Sequence, residues 1–231
     1  MRWTRFSLIS MLAVAAGAVQ ADPVQGTATG TFVNPLPGSA TTTGTGTSNF
    51  TWGNGAPFGS QPNRFQFTGD AFNTTTGTSF RIGTLYYFNG TIASGTQADS
   101  VTLRAALNFT DPALGLRTFD FGLTMVSTPN TTGTQVGDAD YVFMPSSVPS
   151  QSVVIGSTEY TLQFMGFQNI NGSGLISGSG TQLHVFEQGS ATADVYARLI
   201  ERSLVAVPGP AATLPFALGL LARRRKRSNK A

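Results

Sequence analysis

Two neighbouring stretches, VTLRAALNFT (101–110) and TFDFGLTMV (118–126), decide the fold. Apolar side chains recur at every second position, from Leu103 to Phe109 in the first and from Phe119 to Met125 in the second. The positions between them are mostly polar, charged or small. A period of two is typical of a β-strand with one buried and one solvated face. Each stretch therefore predicts a strand of this kind.

The same period recurs along most of the chain. Further candidate strands are RFQFTG (64–69), SFRIGTLYYFNGTI (79–92), DYVFMP (140–145), YTLQF (160–164), TQLHVFEQ (181–188) and DVYARLIE (194–201). Short strands separated by Gly, Asn and Thr turns predict an all-β fold, a single antiparallel two-sheet β-sandwich that is jelly-roll-like. We expect GTATGTFVNP (26–35) to form an edge strand, and TTTGTGTSNFTWGNGAPFGSQPN (41–63) to form a polar loop that carries aromatic residues.

The charged residues are few and unevenly placed. They make up 11% of the 231 residues, less than half of the roughly 25% that is usual in globular proteins. All eleven acidic residues lie between positions 22 and 206, together with only six of the fourteen basic ones. The body of the chain is therefore acidic although the net charge is +3. This distribution excludes a nucleic-acid-binding surface on the body.

The first 21 residues, MRWTRFSLISMLAVAAGAVQA, have the pattern of a secretory signal peptide. Arginines precede an apolar stretch at 6–18, and Val19 and Ala21 occupy the two small-residue positions of a cleavage site. We expect signal peptidase to cut after Ala21. Because the chain has no cysteine, an exported domain would have to be held together by its core and not by disulfides.

Few residues could carry catalysis. His184 is the only histidine, and the alternation in TQLHVF places it opposite Leu183 and Val185, on the solvent-facing side of a strand. Most acids fall at turns or outward-facing positions and are expected to be surface charge: Asp70, Asp99, Asp111, Asp120, Glu159, Glu187 and Asp194. We predict no catalytic residue and no cofactor.

Two local features could bind a ligand. Asp138 and Asp140 in GDADY could offer oxygens to a structural calcium ion, although a turn that enters a strand explains the same letters better. Trp52 and Phe58 in FTWGNGAPF could stack on a sugar ring, although burial in the core is the better explanation of Trp52.

The last 25 residues, VPGPAATLPFALGLLARRRKRSNKA (207–231), have three parts. An extended motif comes first, then an apolar stretch at 211–222, then a basic cluster. The motif is Val207, Pro208, Gly209 and Pro210, and the cluster is Arg223, Arg224, Arg225, Lys226 and Arg227. As a helix the apolar stretch would span about 18 Å, short of the roughly 30 Å of a bilayer core. We predict a short hydrophobic helix that associates with the membrane transiently, with the basic cluster on the cytoplasmic side.

This tail resembles the bacterial PEP-CTERM sorting signal, in which a V-P-E-P motif, an apolar segment and a basic cluster follow one another. In that family the signal is recognised by an exosortase, a membrane-embedded transpeptidase. The resemblance implies an exosortase-type enzyme as a partner of this chain. Gly209 stands where the family usually has glutamate.

The body resembles the choice-of-anchor domain of type K, a bacterial surface domain that occurs with different C-terminal sorting signals. The resemblance rests on NFTWGNG, RFQFTGDAF, RIGTLYYFNGTI, LNFTDP, DADYV and YTLQFMGF, and covers most of residues 26–200. It implies an exported domain with an exchangeable tail and implies no particular ligand or activity.

These features together predict a signal peptide (1–21), a β-sandwich surface domain (22–206, with its core at 26–203) and a sorting tail (207–231). We expect a non-enzymatic protein that crosses the inner membrane of a Gram-negative-type bacterium and reaches the cell surface or extracellular matrix. Extracellular polysaccharide is a candidate partner of the β domain. One alternative is a carbohydrate-binding module that uses loop aromatics; a glycoside hydrolase is a less favoured one.

Overall fold

The computed structural model of the protein describes residues 21–145 and 151–204, which form two seven-stranded antiparallel sheets. In spatial order, sheet A contains β12 (Leu175–Ser179), β13 (Gln182–Val185), β9 (Asp140–Phe143), β8 (Gly115–Val126), β7 (Ser100–Asp111), β1 (Pro23–Leu36) and β5 (Ala71–Thr75). Sheet B contains β10 (Gln151–Ile155), β11 (Thr158–Asn171), β14 (Ser190–Ser203), β6 (Ser79–Phe88), β4 (Asn63–Gly69), β3 (Asn49–Trp52) and β2 (Thr42–Thr43). One short 3-10 helix, Ala56–Phe58, follows β3. The prediction of an all-β two-sheet sandwich is confirmed.

The two stretches that decide the fold form the adjacent strands β7 and β8. Their register pairs Leu103 with Phe121, so that the apolar residues of both strands point to the same face. That face is buried, whereas Arg104 and Asp120, one position further along the pairing, lie on the outer face. There the guanidinium donates two hydrogen bonds of 2.7 Å to the carboxylate. The period of two therefore separates core from solvent as the sequence predicts.

The core is one apolar layer between the two sheets. Its largest fully buried side chains come from both sheets: Trp52, Tyr87, Phe32, Phe50, Phe65, Ile82, Leu85, Leu103, Leu107, Leu123, Leu183 and Leu199. Each such side chain contributes roughly 1.5–3 kcal/mol on burial. A layer of this size stabilises the described part of the chain, which contains no cysteine.

An aromatic cluster forms one end of this layer. Phe65 on β4 lies at its centre, with ring-centroid distances of 5.6 Å to Phe32, 4.6 Å to Trp52 and 5.2 Å to Tyr87. Phe50 stacks on Trp52 at 5.6 Å. Since Phe32 belongs to sheet A and the other rings to sheet B, the cluster joins the two sheets.

Two expectations about the N-terminal third need correction. The segment predicted as an edge strand, 26–35, belongs to β1, which pairs with β7 over most of its length and with β5 from Pro23 to Thr27, so the start of the segment lies inside sheet A. The stretch predicted as a polar loop contains β2 and β3, and its Phe50 and Trp52 are buried. Four residues, NFTW, are too few for a period of two to stand out against the Thr- and Gly-rich sequence around them.

His184 also differs from the expectation, because it is only 5% exposed. It does lie on the face opposite Leu183 and Val185, but its ring stacks on Tyr141 of β9 with centroids 3.9 Å apart. The aromatic neighbour covers the outer face here, so alternation alone does not imply exposure. Burial lowers the pKa of His184.

The predicted signal peptide, except Ala21, and the whole predicted tail at 207–231 lie outside the described residues. Ala21 is exposed, and β1 begins two residues later at Pro23. In the described ranges, no helix has the length and apolar character needed to cross a membrane.

Replacing Phe65 by alanine is expected to lower the free energy of unfolding by about 3–5 kcal/mol, because it opens a cavity at the centre of the aromatic cluster. The matched control is Phe58→Ala, which removes the same atoms from a ring that is 58% exposed. Equilibrium denaturation in urea at constant pH measures both changes. Equal losses in the two variants would contradict the role of the aromatic cluster.

Candidate ligand-binding cleft

A cleft of about 470 Å³ opens beside the aromatic cluster, at the end of the sandwich where several loops meet. Its walls come from the segment after β3, the loop after β6, the loop after β8 and the turn between β13 and β14. The lining residues that carry the argument are Phe58, Thr91, Thr128, Asn130, Asp140 and Glu187. They combine one exposed aromatic ring, two carboxyl groups, two hydroxyls and an amide, a composition suited to a small polar ligand.

Phe58 is placed at the rim by a tight turn that continues β3. The turn is a single 3-10 helix whose Phe58 and Gly59 N–H groups donate to Gly55 and Ala56 carbonyls. Gly53, just after Trp52, has a φ of 83°, and a side chain there would collide with Ile92 of the opposite wall. The buried strand end therefore fixes the turn, and the turn leaves the Phe58 ring exposed.

Two buried asparagines hold the walls in place. Asn63 and Asn89 are both fully buried. The Asn63 side-chain oxygen accepts a 2.6 Å hydrogen bond from the Gly90 N–H, and the Asn89 side-chain amide donates a 2.9 Å bond to the Val185 carbonyl. These bonds tie the loop after β6 both to β4 and to the strand that leads into Glu187.

Glu187 is held by a relay of hydrogen bonds. The side-chain amide of Gln188 donates to Thr91 Oγ1 at 3.0 Å, and Thr91 Oγ1 donates to Glu187 Oε2 at 2.6 Å. The same amide donates to Ser60 Oγ at 2.7 Å. Burial raises the pKa of Glu187, whereas hydrogen bonds from Thr91 and Asn130 oppose the rise. The relay fixes the direction in which this carboxyl group faces the cleft.

Asp140 is the most perturbed acid of the cleft. It is 3% exposed, and its Oδ1 accepts hydrogen bonds from the Thr128 N–H at 2.7 Å and from Thr128 Oγ1 at 3.2 Å. Burial, with a smaller contribution from the charge of Glu187, raises the pKa of Asp140 to about 7 in spite of these bonds. At neutral pH the carboxyl group is therefore partly protonated and can donate as well as accept a hydrogen bond.

The two carboxylates of GDADY do not share an environment. Asp138 accepts hydrogen bonds from the Thr132 N–H and hydroxyl and from the Gly133 N–H. These bonds lower its pKa. Asp138 closes its own loop, whereas Asp140 lines the cleft. Among residues 21–145 and 151–204, no group of three or more acidic or histidine side chains could hold a metal ion.

Of the two aromatic rings proposed for stacking, the structure leaves only Phe58 accessible. Trp52 is 1% exposed and packs against Phe65 and Tyr87. The alternative that Trp52 stacks on a ligand is wrong, because a buried ring offers no face to a ligand. The better explanation of Trp52, burial in the core, is the correct one.

The cleft brings together residues that the sequence did not connect. Glu187, expected as scattered surface charge, faces the same cavity as Asp140, which lies 47 positions earlier. The pairing of β13 with β9 sets Val185 opposite Asp140, and Glu187 follows Val185 by two residues. The sequence offers little to predict this cleft. The dipeptides Asn-Gly and Gly-Asp next to predicted strands indicate loops, but they do not indicate which loops lie close together in the fold.

No protein-family model matches this chain, and no curated protein matches it.

Asp138 and Asp140 are expected to change the free energy of unfolding with pH in opposite directions. The folded state holds the Asp140 proton up to about pH 7, whereas the unfolded chain releases it near pH 4. The free energy of unfolding contributed by this group therefore falls as the pH rises from 4 to 7, by about 1.4 kcal/mol per unit of pKa shift.

The Asp140→Asn variant should lose this slope, so its free energy of unfolding relative to the parent should rise steadily between pH 4 and 7. Asp138→Asn is the matched control. Because the Asp138 pKa is lowered, its contribution is present above pH 4 and is lost only below it. Urea denaturation at several pH values measures both differences. A flat difference for Asp140→Asn would contradict the buried position of this carboxyl group.

Proposed function

We propose that this chain is an exported, non-enzymatic surface or matrix protein of a Gram-negative-type bacterium, delivered by signal peptidase and an exosortase-type sorting enzyme. The observation that carries the proposal is the pairing of a leader ending at Ala21 with the three-part tail that begins at Val207. The strands extend from Pro23 to Ser203. Both predicted address segments therefore flank the folded part and do not interrupt it.

The character of the body supports this proposal. It contains no cysteine and no lysine, and eleven acids outnumber its six arginines. An acidic β-sandwich that depends on core packing alone is suited to an extracellular environment, where its folding does not depend on the redox state. Membrane association is proposed to be transient, through the tail at 207–231.

The C-terminus of the mature protein tests the sorting proposal. Mass spectrometry of surface and culture fractions should find chains that lack the basic cluster from Arg223 to Arg227, and deletion of the sorting enzyme should restore it. Gly209→Glu should be processed at least as completely as the parent, whereas replacement of Pro208 and Pro210 by alanine should reduce processing. An intact tail on all mature protein would overturn the proposal.

A second candidate function, carbohydrate binding, is favoured by the cleft. The Phe58 ring can stack on the apolar face of a sugar, while Glu187 and Asn130 can exchange hydrogen bonds with its hydroxyls. Glu187 is oriented by hydrogen bonds from Thr91 and Asn130 before any ligand arrives. Pre-organisation of this kind reduces the entropic cost of binding. The ligand class is a neutral polyhydroxylated sugar chain from the extracellular matrix.

A glycoside hydrolase requires a pair of carboxyl groups, and Asp140 and Glu187 are the two acids that line the cleft. Binding is the better proposal, because Asp140 is only 3% exposed and one of its oxygens is engaged by Thr128. A general acid must reach the glycosidic oxygen of its substrate. We therefore assign Glu187 a binding role and the pair no catalytic one.

A glycan array with the full chain tests the cleft. Neutral glycans should bind, and Phe58→Ala should weaken binding about two- to tenfold, since an aromatic contact contributes roughly 0.5–1.5 kcal/mol. Phe143→Ala is the matched control, because Phe143 is also exposed, at 37%, but lies on β9 away from the cleft lining. Absence of binding to every neutral glycan would remove this candidate. Release of new reducing ends would instead support the hydrolase.

A further inference from the structure

A second polar depression lies on the outer face of sheet B and shares no residue with the cleft. It encloses about 270 Å³. We call it the Arg64 groove, and it is lined by Asn49, Thr51, Gln61, Pro62, Arg64, Tyr86 and Phe88. The sheet itself forms its floor, because five of these residues lie in β3, β4 and β6, and Thr51, Arg64 and Phe88 are directly paired across the three strands. A floor of paired strands is more rigid than a surface loop.

The register explains why aromatic and polar groups meet here. One cross-strand row contains Thr51, Arg64 and Phe88, and the next contains Asn49, Gln66 and Tyr86. Members of a row share a face of the sheet. The alternate rows point inward and supply Phe50, Phe65 and Tyr87 to the aromatic cluster. The groove is thus the outer side of the same strands whose inner side forms the core.

Arg64 is a cation without an acidic partner in the part of the chain that the structure describes. Its guanidinium carbon lies 5.1 Å from the centre of the Tyr86 ring, and no hydrogen bond from it to a described acceptor is present. Arg81 and Arg104, by contrast, form ion pairs with Asp70, Asp194 and Asp120. Arg64 is therefore positioned by an aromatic ring and not by a carboxylate.

Asp194, an acid on the same face of sheet B, does not neutralise Arg64. Asp194 on β14 pairs with Thr84, two positions before Tyr86 on β6. Its carboxylate accepts hydrogen bonds from Thr84 Oγ1 at 2.8 Å and from the Asn169 amide at 2.9 Å, and it pairs with Arg81. With its partners already present, Asp194 leaves the positive charge of the groove available to a ligand.

We propose that the Arg64 groove binds a carboxylate-bearing sugar polymer, that is, a polysaccharide containing uronic acid residues. A guanidinium matches a carboxylate with two parallel hydrogen bonds. The Tyr86 and Phe88 rings line the same groove and can contact the apolar face of the sugar ring, while Asn49, Gln61 and Thr51 can supply hydrogen bonds to hydroxyls. This site is separate from the neutral-sugar cleft and does not depend on it. This proposal rests on the proposed function in one respect, namely that the protein meets polysaccharide in the extracellular matrix.

The site also explains how an acidic protein could bind an acidic polymer. The body carries an excess of acids, so long-range electrostatics oppose the encounter. Binding then depends on one local cation and on sugar contacts, and it should be weak, salt-sensitive and specific for the position of the charge. This combination distinguishes the groove from a general basic patch.

Binding of the purified full chain to alginate, a polymer of uronic acids, tests the proposal by calorimetry or biolayer interferometry at low ionic strength. Dextran serves as the neutral probe and dextran sulfate as the sulfated one. Arg64→Gln should weaken alginate binding at least tenfold. Arg202→Gln, which removes the same charge from an exposed position on the same sheet, should change it less than twofold. Tyr86→Leu, which keeps the charge, should also weaken it.

The outcomes separate this proposal from the others. Equal losses of alginate binding in Arg64→Gln and Arg202→Gln would mean that binding depends on overall charge and not on the groove, and this result would overturn the proposal. Dextran sulfate binding as tightly as alginate, with the same dependence on Arg64, would overturn the assignment to carboxylates. Loss of alginate binding in Phe58→Ala but not in Arg64→Gln would place the acidic sugar in the cleft. Retained dextran binding in Arg64→Gln would leave the cleft proposal intact whatever happens to this one.

Discussion

Packing of aromatic rings between two sheets is the interaction on which the rest of this structure depends. No disulfide is possible in a chain without cysteine, so the sheets must be held by what they bury. Phe65 contacts Phe32 from the opposite sheet and both Trp52 and Tyr87 from its own. Such rings contribute large buried areas and additional aromatic contact energy. This packing joins the two sheets at the end where the cleft opens.

This arrangement explains how ordinary loops can hold a defined site. The strands that carry Trp52 and Tyr87 into the core continue directly into the turn with Phe58 and the loop with Thr91. Buried Asn63 and Asn89 then fix the loop with Thr91 by hydrogen bonds to backbone groups. A buried amide is costly unless it is paired, so each bond stabilises one loop geometry over its alternatives. Core packing and cleft geometry are consequences of the same few strands.

The sequence predicts the strands well where apolar residues alternate over eight or more positions, as in β7 and β8, and poorly where they do not. β3 is only four residues long, so the burial of its Phe50 was not evident. β1 is rich in Gly and Thr, so its position between β5 and β7 was not evident either. His184 alternates correctly but is covered by Tyr141. The cleft could not be predicted at all, because the approach of Asp140 to Glu187 is a property of strand order, which period and composition do not encode. Of the cleft residues that carry the argument, the sequence singled out Phe58, in a Gly- and Pro-containing turn, as a ring that could stack on a sugar, and Asp140 as a candidate ligand of calcium.

The central claim is that the packed core forms a cleft in which the carboxyl group of Asp140 is buried and has a pKa near 7. The domain that carries this cleft is proposed to work outside the cell. The most direct test is the pKa of the Asp140 carboxyl group, read from the pH dependence of its ¹³C chemical shift in the folded protein. The account predicts a midpoint of about 7, which moves down when Glu187 is replaced by glutamine because the smaller, electrostatic contribution is then removed. A midpoint near 4, the value of a solvated aspartate, would contradict it, since the carboxyl group could not then be buried behind Thr128 in a cleft formed by the core.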